Sequence, residues 1–180
     1  MSKRTDSTIS KQGWQCQVLA DVRSAVDPHT HHAASCVAPG RTVHLAVFTE
    51  PYLGYLLDGL KTVESRFSVN RCAPYQQVKT GDVLLIKRAG GPVEAMCEVG
   101  AVWFYELADD AWSIIREKFT KALCADDPSF WTDRSGAAYA TLLTVKKLRK
   151  IDPIRCEKRD RRGWVVLQDT KNDILFDQTI

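Results

Sequence analysis

Residues 83–86, Val83-Leu84-Leu85-Ile86, are apolar at every position, so a strand there buries both faces and belongs inside a sheet, not at its edge. Gly81-Asp82 turns the chain into that strand, Lys87-Arg88 ends it, and Gly90-Gly91-Pro92 makes the next turn. Over 93–105, Val93, Ala95, Cys97 and Val99 alternate with Glu94, Met96 and Glu98, which is the period of a strand, and Gly100 supplies a bend or bulge midway. A central strand followed by a long, bent one is the means by which small barrels turn corners.

The flanking chain supplies further strands and helices. Residues 43–48 read as another strand. Thr49 is placed to cap a helix over 51–58, with Glu50 and Pro51 in its first turn, where a negative charge and a missing N–H are both favoured. Leu53, Leu56 and Leu57 share the core face, Tyr52 and Tyr55 lie nearer its edge, and Gly59 ends the helix in the left-handed conformation. A second helix runs from Asp109 or Asp110 to about Leu123, with Trp112, Ile115, Phe119 and Leu123 on one stripe. Residues 129–137 form a loop or short turn holding Trp131, and strands follow at 138–148 and 165–167.

At 180 residues with 44% hydrophobic content, the chain suffices for one core, expected over 43–168. Residues 1–42 read as a flexible N-terminal tail with one marginal helix from Trp14, and 169–180 as a C-terminal tail. The six cysteines are scattered without a CxxC pair and the first residues are polar, so free thiols in the cytoplasm are expected. No run is long enough for a membrane span. His29, His31, His32 and Cys36 are metal-ligand types, but no second ligand pair accompanies them, so no metal and no cofactor is expected. The net charge of +3 identifies no partner by itself.

The chemistry concentrates after Gly59. From Thr62 the strand pattern puts Thr62, Glu64, Arg66 and Ser68 on one side and Val63, Phe67 and Val69 on the other, with Lys61 at the turn. Together with Glu50-Pro51-Tyr52, Lys79-Thr80-Gly81-Asp82-Val83 and Arg162-Gly163-Trp164, the order Gly59, Lys61, Glu64, Arg66 resembles the signature of ASCH domains, members of the PUA-like superfamily associated with RNA. The resemblance implies an α+β fold, a PUA-like mixed, mostly antiparallel β-barrel of five or six strands with flanking helices. It also implies a ligand site at Glu50, Pro51, Tyr52, Lys61, Glu64 and Arg66.

Three roles are open to the charged cluster. Glu64 can bridge Lys61 and Arg66 as a structural ion pair, the cations can bind phosphate or base edges, or a lysine of lowered pKa can act as a base with Glu64 shuttling a proton. ASCH-like relatives include N4-acetylcytidine amidohydrolases, which pair this lysine with a threonine three residues on, and a ribonuclease. Here Glu64 holds that place and Thr62 adjoins the lysine. Farther on, Lys158, Arg159, Arg161, Arg162 and Trp164 close a basic run from Lys146. The run suits single-stranded RNA if its aromatic stacks on bases, and is a solvated loop if Trp164 is tucked inside. RNA or a modified nucleoside or nucleotide is therefore the expected partner. As exposed cleft residues, Lys61 and Glu64 should tolerate Lys61→Ala and Glu64→Gln within about 1 kcal/mol of stability.

Overall fold

The computed structural model describes residues 6–25, 40–158 and 161–170. The elements are α1 (Asp6–Ala25), β1 (Val43–Phe48), α2 (Tyr52–Leu57), β2 (Val63–Ser68), β3 (Val83–Arg88), β4 (Val93–Glu106), α3 (Asp109–Leu123), α4 (Pro128–Thr132), β5 (Tyr139–Ile154) and β6 (Trp164–Gln168). The strands form one mixed, curled sheet in the order β2-β5-β4-β3-β1-β6, so the expected α+β, PUA-like fold is present with six strands as a half-barrel. β3 has a neighbour on each side, as its apolar run requires, and is buried from Val83 to Lys87. β1 and β6 pair antiparallel with Leu45 opposite Val165, and β2 and β5 pair antiparallel with Glu64 opposite Leu143 and Arg66 opposite Thr141.

The chain divides into two compact units, and β4 and β5 each lend one segment to either unit. The first comprises the chain up to Val47, Val83–Met96 and the chain from Arg149. Its core joins Val18, Leu19 and Val22 of α1 to Val43, Leu45, Val83, Leu85, Val93, Met96, Ile154 and Val165. Within 1–42 the helix is thus longer than the sequence suggests, and it is packed. Its few apolar positions are weak grounds for a helix alone, but full burial of a Val or Leu side chain contributes about 1.5–3 kcal/mol that propensity does not register. His29, His31, His32 and Cys36 lie outside the described residues.

The second unit comprises Phe48–Asp82 and Cys97–Leu148. Ile115, Phe119 and Leu123 form the buried stripe of α3 and pack with Val63, Ala140, Leu142, Phe130 and Trp131. Trp112, the fourth residue of that stripe, is half-buried and stacks on Phe67 with ring centroids 5.4 Å apart. The loop or turn expected around Trp131 contains the short helix α4, capped by the Asp127 carboxylate accepting from the Ser129 N–H at 2.8 Å. Among the described residues no helix is long and apolar enough to cross a membrane.

Gly100 marks a close approach within β4. A Cβ there would fall 2.0 Å from Thr144 Oγ1, the atom that accepts from the Ala101 N–H at 2.8 Å. Gly100→Ala should therefore cost about 1–3 kcal/mol in urea unfolding, as overpacking does. Gly136→Ala, which meets nothing within 4 Å, should stay within about 0.5 kcal/mol.

Candidate functional site

Local backbone chemistry delivers Lys61 to its place. Pro51 is the N-cap of α2 and has no side-chain cap bond. The cap expected from Thr49 is replaced by Glu50, whose Oε2 accepts from the Gly54 N–H at 3.1 Å, while Thr49 contributes only its carbonyl to the Leu53 N–H. At the other end Leu60 N–H bonds the Tyr55 carbonyl and Gly59 N–H bonds the Leu56 carbonyl, the two bonds of a Schellman motif, with Gly59 at φ +75°. The Lys61 N–H donates to the Tyr55 carbonyl as well. The C-terminus of α3 meets the same turn: Thr62 N–H donates to the Ala122 carbonyl at 3.0 Å and Lys61 Nζ to the Leu123 carbonyl at 3.3 Å. An ammonium at the last carbonyls of a helix is where the helix dipole favours a cation.

Lys61, Glu64 and Arg66 come together as one cluster. Lys61 Nζ lies 3.4 Å from Glu64 Oε2, and Arg66 Nε lies 2.8 Å from Glu64 Oε1, close as an ion pair though not aligned as a hydrogen bond. The Arg66 guanidinium also sits 5.0 Å from the Phe48 ring centre. One carboxylate thus serves two cations. Lys61 is only 3% exposed and Glu64 only 5%, so both depart from the expectation of exposed cleft positions, while the Arg66 side chain is 21% exposed. The turn into β2 is held against the C-terminus of α3, α3 packs on Val63, and Glu64 is buried on the opposite face of the strand.

Tyr52 is half-buried beside the cluster, its ring centre 5.8 Å from Lys61 Nζ and edge-on to Phe130 at 5.6 Å. Burial pushes the Lys61 ammonium below its ordinary 10.5; Glu64 opposes that shift and Arg66 adds to it. Burial pushes the Tyr52 phenol up, against the pull of Arg134. Cys97 is pushed up to about 12 by burial and then by Glu64 and Glu98, so it remains a thiol at neutral pH.

The basic segment belongs to the other unit. Lys158 is half-buried and lines an open groove of about 690 Å³ with Gly90, Gly91, Pro92, Arg155 and Cys156. Arg161 and Arg162 are exposed, and Arg159 lies outside the described residues. Trp164 is 4% exposed and donates its indole N–H to His44 Nδ1 at 3.1 Å. Of the two readings of that residue, stacking platform or interior ring, the interior ring is found, because β6 pairs with β1 and the indole has a buried partner on it.

Two residues at the cluster were not singled out from sequence. Arg134 stands 3.9 Å over the Phe130 ring and 6.0 Å from the Tyr52 ring centre. Thr141 is directly opposite Arg66 and 1% exposed, and its hydroxyl has no hydrogen-bond partner among the described residues. Strand alternation gave Thr141 a face, but only the β2–β5 register says whose face it shares. Among the described residues no group of three or more His, Cys, Asp or Glu is arranged to hold a metal.

Glu64→Gln leaves a buried ammonium beside a guanidinium with no anion between them, and should cost about 3–5 kcal/mol in urea unfolding. Lys61→Met keeps the Glu64–Arg66 pair and fills the volume, and should stay within about 1.5 kcal/mol. Because the folded state lowers the Lys61 pKa, the unfolded chain binds that proton more tightly. The Lys61 contribution is therefore fully present above 10.5 and is lost as pH falls through the lowered folded value. Wild-type stability relative to Lys61→Met should rise across that window, read from paired unfolding curves at several pH values.

No family model and no curated protein matches the chain. Solved structures do. A mutant form of ZmASCH from Zymomonas mobilis superposes with a TM-score of 0.58 at 13% identity, covering 77% of this chain and 96% of that one. A second mutant form gives 0.57 at 13%, over 78% and 100%, and a further structure of ASCH from the same organism gives 0.56 at 12%, over 77% and 96%. At such identities the likeness is one of backbone architecture, and it bears out the resemblance read from the motif residues: the chain has the fold of ASCH domains.

Proposed function

We propose that the chain is an RNA- or nucleotide-binding ASCH module, with Tyr52, Lys61, Glu64 and Arg66 as its ligand site. The observation that carries this reading is the grouping itself: two cations share the Glu64 carboxylate beside the Tyr52 ring, in a place mostly closed to water. Charges are little screened there, and the Arg66 guanidinium is the more open of the two cations. A phosphate meets that charge, and the half-buried Tyr52 ring offers a face or edge to a base. In the other unit Lys158, Arg161 and Arg162 make a basic surface suited to phosphate in its own right, and the fold is one whose family resemblance implies association with RNA. Glu50 serves the site indirectly, by capping α2.

A second reading rests on Lys61 itself. An ammonium held below its ordinary pKa is nearer to acting as a base, which favours a metal-independent hydrolase of N4-acetylcytidine or RNA. Glu64 at the third position after the lysine departs from the amidohydrolase pattern, so the proton shuttle falls to that carboxylate and no threonine nucleophile is involved.

Fluorescence anisotropy with a short labelled single-stranded RNA tests the binding reading. Arg66→Met should weaken binding about 10- to 100-fold, the worth of a hydrogen bond to a charged group. Affinity should also fall with salt, log K changing by about −0.7 per phosphate neutralised for each decade of salt. Equal affinity of wild type and Arg66→Met would sink the site assignment. Incubation with N4-acetylcytidine and RNA, read by mass spectrometry beside Lys61→Met, decides the hydrolase reading: only turnover by wild type and not by the variant supports it.

A further inference from the structure

β5 sets Thr141 opposite Arg66 of β2. Residues directly opposite in an antiparallel pair project from the same face, with Cβ atoms about 4.5–5.5 Å apart. Glu64, two residues from Arg66, shares that face. The Thr141 hydroxyl therefore lies on the side of the sheet that carries the charged cluster, buried and without a protein partner among the described residues. Other threonine hydroxyls nearby are used: Thr144 Oγ1 accepts from the Ala101 N–H, Thr120 Oγ1 donates to the Arg116 carbonyl, and Thr132 Oγ1 donates to the Pro128 carbonyl. Valine has nearly the shape of threonine and loses no hydration on burial, so packing alone gives no reason for a hydroxyl at position 141.

We infer that Thr141 and Arg66 form a binding pair for an oxyanion of the ligand, resting on the reading that the cluster is a nucleotide site. The donor and acceptor inventory selects this chemistry. Glu64 is the carboxylate of the cluster, and each of its oxygens already faces a cation, Oε2 toward Lys61 and Oε1 toward Arg66. An arriving amino group finds that acceptor engaged. An arriving anionic oxygen finds a guanidinium, which only donates, and a hydroxyl whose hydrogen can rotate toward it. Phosphate and carboxylate oxygens share this chemistry; a nucleotide would supply the phosphate. Thr141 then fixes where the anion sits relative to Arg66, and the ribose and base extend from that point.

The test is isothermal titration of the full chain and its Thr141→Val, Thr141→Ser and Arg66→Met variants with cytidine 5′-monophosphate, with inorganic phosphate and acetate as competitors. Thr141→Val should bind the nucleotide about tenfold more weakly while melting at the same or a higher temperature, since it removes an unpaired buried hydroxyl. Thr141→Ser should bind within about threefold of wild type. Competition by phosphate and not acetate assigns the oxyanion to a phosphoryl group, and the reverse assigns it to a carboxylate. Wild-type affinity in Thr141→Val with a loss in Arg66→Met would overturn the pair and leave the site reading standing. No binding by wild type to this nucleotide or to RNA would remove both. A lower melting temperature for Thr141→Val, with binding lost equally in Thr141→Ser, would make the residue structural and also overturn the inference.

Discussion

The Glu64 carboxylate is the contact on which the candidate site depends. Burying an ammonium costs several kcal/mol unless an anion and hydrogen-bond acceptors replace its water, and Lys61 finds Glu64 on one side and the Leu123 carbonyl on the other. The second acceptor is a helix terminus, so the fold enters the electrostatics directly: α3 must end at Leu123 for that carbonyl to be there. It does so through Cys124, whose left-handed backbone at φ 54° closes the helix. The same carboxylate holds Arg66 at its other oxygen. One anion therefore fixes two cations of different kinds, a buried point charge and a half-open planar fork.

Much of this was legible because local chemistry decided it. The apolar run 83–86 needed burial on both faces and obtained it as β3. The bounds of α3 followed from the acidic start and the apolar stripe, and Gly59 announced the end of α2 and the turn to Lys61. Misreadings arose where long-range contacts decide. Alternation along β2 correctly separated Glu64 from Val63, yet it cannot tell that both faces are covered, so the polar face was expected to be wet. The indole of Trp164 is claimed by His44, 120 residues away in sequence. α1 offers few apolar positions, and Val18, Leu19 and Val22 become significant only when β1, β3 and β6 are there to receive them. Thr141 was invisible as a site residue for the same reason, since pairing register is a tertiary fact.

A buried ion-pair cluster is by itself weak evidence of function, because apolar residues of equal volume often stabilise a fold at least as well. Two features bear on the binding role proposed for this cluster. One carboxylate is shared between two cations beside an aromatic ring. Next to it, on a different strand and on the same face, stands a buried hydroxyl with no hydrogen-bond partner among the described residues.

Those features are independent in origin, since β2 carries the charges and β5 carries the hydroxyl, some 75 residues later in the chain. Neither follows from the other by packing. A fold under pressure for stability alone gains from valine at position 141. In the proposed pair, an anionic oxygen meets the Arg66 guanidinium and accepts the hydrogen bond that the Thr141 hydroxyl does not make among the described residues. The face proposed as a binding site thus draws on two strands, and the register that sets Thr141 opposite Arg66 is what brings their side chains together.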